Sequence, residues 1–131
     1  MTIIFTSNFI NAKSFWKEVT LHIYYSNMEN IEITKVTPAD IDRLQGISRQ
    51  TFSETFSAGN TEDDMRKYLA EAFSLEKLTA ELNDKNTEFY FATLHQQVIG
   101  YLKINTGASQ TELHNQNALE IERIYVLKDF H

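Results

Sequence analysis

The run Leu119-Glu120-Ile121-Glu122-Arg123-Ile124-Tyr125-Val126 alternates between apolar and polar residues, but not in a single phase. Leu119 and Ile121 fall on one face of a strand, whereas Ile124 and Val126 have the opposite parity, so the alternation slips by one residue near Glu122 and Arg123. A slip of one is what a β-bulge produces. Two residues then face one on the partner strand, the strand bends, and the sheet opens or a side chain is re-aimed. Two short strands, or a strand end with a loose tail, would give the same pattern.

Composition removes several classes of function. The chain has 131 residues, 42% hydrophobic and 23% charged, which fits one ordinary globular domain. It has no cysteine, so disulfides, thiolate catalysis and Cys-based zinc sites are excluded. His22, His95, His114 and His131 are scattered without metal-ligand spacing, and no metal is expected. The net charge of −6 disfavours nucleic acid, whose phosphates need clustered Lys and Arg, and weakly favours cationic small molecules. A solvated acidic face accounts for the same charge. No apolar stretch approaches the ~20 residues of a membrane span. A cytoplasmic location is the default expectation.

Residues 1–27 differ from the rest, with mixed polarity, no sustained period and only Lys13, Lys17 and Glu18 as charges. They read as an N-terminal extension, with the folded domain at 28–131; an ordinary N-terminal strand and helix is the other reading. Ile31 to Thr34 alternates as a strand. Thr37-Pro38-Ala39-Asp40 then signals a helix start, and Ile41, Leu44, Ser48, Thr51, Phe52, Thr55 and Phe56 continue at helical spacing, turning Phe52 and Phe56 inward. Gly59 and Asn60 break it. Thr61 and Asp64 start a second helix with a stripe of Met65, Tyr68, Leu69, Ala72 and Phe73, and Ser74 caps a third through Leu75, Leu78 and Leu82.

The second half is β. Phe89 to Leu94 and Val98 to Ile104 form a hairpin around His95-Gln96-Gln97, with His95 a solvated turn residue, and Thr106 to Asn117 reads as an exposed polar loop. The order of strand, two or three helices, hairpin and bulged strand points to an α+β or α/β layer. One sheet face would lack a helix, and the last strand would be an open edge.

Four stretches carry a family resemblance: Thr51 to Phe56, Tyr68 to Phe73, Val98 to Ile104 and Leu119 to Val126. In their order and spacing they resemble the GNAT superfamily of acetyl-CoA-dependent N-acetyltransferases, and within it the bacterial spermidine/spermine acetyltransferases of the PaiA type. The resemblance implies the N-terminal portion of an acyl-CoA N-acyltransferase fold, with a mixed sheet and a bulged fourth strand. It implies acetyl-CoA as cosubstrate, held through the backbone at Ile124, Tyr125 and Val126, and a small, polyamine-like amine as acceptor. His131 matches the first position of the family's Gln/Arg-x-x-Gly-x-Gly/Ala pyrophosphate loop, where Gln or Arg is usual. The rest of that loop and the following helix have no counterpart in this sequence, so a chain of low or no activity by itself is expected.

An amine acceptor must lose a proton before it attacks the thioester. Glu122, in the slip, is the first candidate for the base, directly or through water, and Glu120 is the alternative; either is equally read as a solvated or Arg123-paired strand carboxylate. Phe52, Phe56 and Tyr68 line an amine site on one reading and the core on the other. Two non-enzymatic readings stand beside these. The open edge could be completed by a strand of a partner or of a second copy, or the domain could bind a small ligand without chemistry.

Overall fold

Capping and turn chemistry set the elements of the computed structural model, which describes residues 3–6, 30–112 and 117–131. Strand β1 is Ile3–Thr6 and β2 is Ile31–Lys35, followed by the helices α1 (Ile41–Phe56), α2 (Glu62–Ala72) and α3 (Leu75–Asn83). Strands β3 (Thr87–Leu94), β4 (Gln97–Thr106) and β5 (Ala118–Val126) complete one five-stranded sheet in the order β1-β5-β4-β3-β2.

The helix starts are those the sequence announces. Pro38 opens a single 3₁₀ turn leading into α1, and the Thr37 N–H and hydroxyl both donate to the Asp40 carboxylate at 3.0 and 3.1 Å. The Thr61 hydroxyl accepts the Asp64 N–H, and the Ser74 hydroxyl accepts the Lys77 N–H, each at 3.1 Å. A cap of this kind contributes about 0.5–2 kcal/mol by satisfying an amide the helix cannot.

The inward face of α1 is Leu44, Ile47, Ser48 and Thr51, and this corrects the expectation for Phe56, which is 39% exposed. At 100° per residue, Phe56 sits on the flank beside α2, while Phe52, next to it, also packs against the buried cluster of the helical side. There the Phe52 ring stacks on Tyr68, itself 49% exposed, with centroids 4.6 Å apart, and meets Phe56 at 4.5 Å. Met65, Phe73 and Leu78 are the buried residues that α2, its end and α3 send inward.

Strands β3 and β4 are buried on both faces. Phe89, Phe91 and Tyr101 meet Leu44, Ile47, Phe73 and Leu78 on the helical side. On the other face Tyr90, Ala92, Ile99, Leu102, Ile104 and Ile121 are each at most 4% exposed, with Ile31, Ile33, Leu119, Ile124 and Phe130 against them. The expected exposed face is therefore a second buried cluster, which explains why these strands read as continuous apolar runs. His95 and Gln96 form the hairpin turn with φ of 47° and 67°, and His95 is exposed as read. The loop after β4 is less exposed than expected: Gln110 is buried, while residues 113–116 lie outside the described residues.

The phase slip is a bulge. Lys103 pairs with Arg123 and Ile104 with Ile121, so Glu122 is the extra residue of β5. Two expectations about the sheet are corrected. Every described pairing is antiparallel, so within these residues the sheet is not mixed. The edge of β5 is also not fully open, because β1 pairs with it from Ala118 to Ile121. Ile3–Thr6 come from the segment set apart as an extension; the rest of that segment and the boundary at Met28 lie outside the described residues. No helix among the described residues is long and apolar enough to cross a membrane.

Gly100 lets β4 and β5 approach beyond the bulge. A Cβ there would lie 2.7 Å from the Tyr125 carbonyl oxygen and 3.2 Å from a Val126 methyl. Gly100→Ala is therefore expected to destabilise the fold by about 1–3 kcal/mol, the usual cost of overpacking against backbone, read as a lower urea midpoint at unchanged slope.

Candidate active site

Among the described residues, the backbone of β5 beyond Glu122 has one side paired with a strand and one side that is not. The Leu127 N–H donates to the Ile99 carbonyl at 2.8 Å, and Tyr125 pairs with Tyr101. In an antiparallel ladder successive residues alternate the side to which they offer N–H and C=O. Arg123 and Tyr125 thus face β4, while Ile124 and Val126 face away, where no described strand pairs with them. The Val126 carbonyl accepts Nε2–H of His131 at 2.9 Å, which folds the exposed end of the described chain back onto this edge. Of the three residues expected to offer backbone groups, two are therefore directed outward. Tyr125 instead contributes its ring, stacked on Tyr101 with centroids 5.9 Å apart.

The bulge carries a dense set of charges. Glu122 Oε2 meets Lys103 Nζ at 2.5 Å and accepts from Asn105 Nδ2 at 2.8 Å, whereas among the described residues Oε1 has only Arg123 Nη2 at 3.5 Å. Arg123 grips Glu81 of α3 with two hydrogen bonds of 3.0 Å, and Lys103 lies 3.4 Å from the same carboxylate. The four side chains are 7–20% exposed, so the network is largely out of water. Burial pushes the Glu122 carboxyl up, but the hydrogen bonds from Lys103 and Asn105 and the positive charges of Lys103 and Arg123 outweigh it and hold it below the usual range.

Glu120 has a different setting. It is fully buried, and its two oxygens accept from the N–H of Thr111 and of Glu112, the Thr111 hydroxyl and Asn105 Nδ2, all within 2.9–3.1 Å. Burial again pushes the carboxyl up, and the bonds from Asn105, Thr111 and Glu112 bring it down further than burial raises it. The carboxylate is saturated with donors and clasps the loop after β4 to β5. The two candidate bases are thus brought together on one amide, with only Glu122 keeping an oxygen that is weakly held.

Sequence reasoning missed Asn105, Lys103 and Glu81 as members of this cluster. The signal available was Lys103 and Asn105, two polar side chains in a strand otherwise buried on both faces. On the α1–α2 flank, Phe52, Phe56 and Tyr68 form an aromatic surface, and Glu54 accepts the Lys128 N–H at 2.8 Å, tying α1 to the turn after β5. Among the described residues no group of His, Asp and Glu is arranged to hold a metal ion.

This sheet, bulged strand and helical layer match solved structures of N-acetyltransferases in fold. The PaiA N-acetyltransferase of Thermoplasma acidophilum, solved with coenzyme A, superposes with a TM-score of 0.62 at 21% identity, over 77% of this chain and 61% of that one. An aminoglycoside acetyltransferase from an uncultured soil metagenomic sample, solved with sisomicin, gives 0.54 at 18% identity, over 77% and 59%. In sequence, the chain is 38% identical over 103 residues to an uncharacterized N-acetyltransferase in the pepI 3′ region of Lactobacillus delbrueckii subsp. lactis. That match takes in 79% of this chain and 60% of the relative's length. No family model matches the chain. The chain thus resembles an N-acetyltransferase in sequence and solved N-acetyltransferases in fold.

Because Glu120 is held below its ordinary value in the folded state, the stability it contributes is present above the unfolded carboxyl's pKa and is lost as pH falls through the folded one. Glu120→Gln is expected to cost about 1–3 kcal/mol at neutral pH, the penalty for donors left without their charged acceptor. In urea unfolding the gap between the variant and the parent narrows in acid; a gap independent of pH would contradict this.

Proposed function

We propose that this domain serves an acetyl-CoA-dependent N-acetyltransferase whose acceptor is a small, polyamine-like amine, acting in the cytoplasm. The observation that carries the reading is the pair of outward backbone groups at Ile124 and Val126 directly beyond a bulge that presents Glu122. The match spans about 60% of the curated relative's length, so the activity proposed is that of the whole protein.

The open edge fits a pantetheine arm. An extended amide-bearing chain laid along β5 would pair with Ile124 and Val126 as an added strand does, with Tyr125 holding its place in the ladder beside Tyr101. An edge N–H is also a preorganised donor for the oxyanion that forms when an amine attacks a thioester carbonyl. When bound, acetyl-CoA supplies the activated acetyl group. His131 is assigned to the start of the pyrophosphate-binding segment, on the resemblance.

Glu122 is the proposed base. Held ionised by Lys103 and Asn105, it is ready to accept a proton at neutral pH but has low affinity for it. That suits relay through water from the ammonium form of the acceptor better than direct storage of the proton. Glu120, with every donor around it already engaged, is assigned to shaping the loop. The aromatic surface of Phe52, Phe56 and Tyr68 suits an alkylammonium group, which aromatic faces attract. The chain's charge of −6 acts in the same direction. The amine-type substrate named for the metagenomic neighbour supports this class of acceptor.

The whole protein, supplied with acetyl-CoA and spermidine, is the form to assay. Chromatographic detection of acetylated spermidine is the test. The reading predicts an acetyl-CoA-dependent product whose rate falls at least about tenfold, toward the roughly 10²–10⁴ a positioned base contributes, in Glu122→Gln. No product from the whole protein at saturating acetyl-CoA, or a rate indifferent to that substitution, would overturn it.

A further inference from the structure

Asn105 occupies a place that neither strand pairing nor core packing requires. It lies on β4 opposite Glu120, is 1% exposed, and is surrounded by acceptors. Its Nδ2 donates to Glu120 Oε1 at 3.0 Å and to Glu122 Oε2 at 2.8 Å, which uses both amide hydrogens. Its Oδ1 accepts the Thr87 hydroxyl of β3 at 2.9 Å. The opposite amide orientation would turn Oδ1 onto two carboxylates, so the hydrogen-bond network itself fixes which way the group points.

We propose that Asn105 is a positioning residue that joins the loop clasped by Glu120 to the bulge carboxylate, holding Glu122 by Oε2 so that Oε1 is the oxygen left to act. The proposal rests on the reading of Glu122 as the base. Without the bulge, one residue of β5 would face Asn105. The extra residue brings a second carboxylate within reach, and a side chain with two donors on one nitrogen can serve both. A Gln would be one methylene too long for this site, and a Ser would offer one donor for two acceptors. Asn105 thereby links the Thr111 and Glu112 amides to Glu122 through three hydrogen bonds in series.

The charged groups facing Glu122 are Lys103 on β4, Arg123 on β5 and, behind them, Glu81 on α3. Glu120 lies across the shared amide, with Glu112 presenting its backbone N–H to Glu120. Two cations thus hold Glu122 ionised against two neighbouring carboxylates. The neutral donor between the carboxylates keeps their repulsion from raising either.

The test is carboxyl-carbon NMR titration of Glu122 and Glu120 in the protein, in Asn105→Asp and in Thr87→Val, with the acetyl-transfer rate followed against pH. Asn105→Asp keeps the shape and exchanges the double donor for a third acid, and should raise the Glu122 midpoint by roughly one to three pH units. The Thr111 and Glu112 amides, which donate directly to Glu120, should register the Glu122 titration in the parent and follow only that of Glu120 in the variant. If Asn105→Asp does not fold, Thr87→Val leaves both carboxylates in place but frees the amide to turn. It should raise the Glu122 midpoint by a smaller amount, and Thr87→Ser should restore it. An unchanged Glu122 midpoint in a folded variant overturns the positioning role. The two proposals fail separately. A shifted midpoint in a protein without acetyl transfer removes the enzymatic reading and keeps the linkage through Asn105. Transfer that depends on Glu122 but ignores Asn105→Asp does the reverse.

Discussion

One extra residue in β5 decides the rest of this structure. Glu122 has no partner in the ladder with β4, and beyond it no described strand pairs with the outer side of β5. The backbone of Ile124 and Val126 is thereby left facing outward. A carboxylate placed in that turn cannot be left both unpaired and largely buried, because desolvating an uncompensated charge costs several kcal/mol. Lys103, Arg123 and Asn105 supply the compensation, and Arg123 carries it on to Glu81 of α3. The helix layer and the bulge are therefore held by one network of charges.

That arrangement also divides the labour of two carboxylates only two positions apart. Glu120 is surrounded by donors from a loop and acts as its clasp, whereas Glu122 keeps one oxygen held only by a contact of 3.5 Å. Gly100 contributes on the other side by letting β4 approach the Tyr125 carbonyl beyond the turn. Site geometry and strand geometry are thus the same problem here. A change that closes the bulge would remove the edge donors and re-aim the carboxylate together.

Much of this was legible in the sequence because short-range chemistry governs it. The caps at Thr61 and Ser74, the hairpin at His95 and the bulge near Glu122 each rest on residues a few positions apart. What could not be read depends on distant segments. The edge was expected to be open because nothing local predicts that Ile3–Thr6 pairs with Ala118–Ile121. Phe56 was expected inside because the helical stripe of α1 is wide and only the position of α2 decides which flank is covered. The mixed sheet came from the resemblance and not from the residues. Among the site residues, Glu122 was readable from the phase slip. Asn105 and Glu81 were not, since their roles appear only once β4, β5 and α3 are in register.

The central claim is that the edge of β5 past the bulge receives the pantetheine arm, and amide NMR of the labelled protein titrated with coenzyme A tests it most directly. The account predicts that the Ile124 and Val126 amides shift with added coenzyme A and become protected from exchange, while Tyr125, already bonded within the ladder, changes little. Shifts confined to β2 or to the helices, or none at Ile124 and Val126 when coenzyme A is bound, would contradict it.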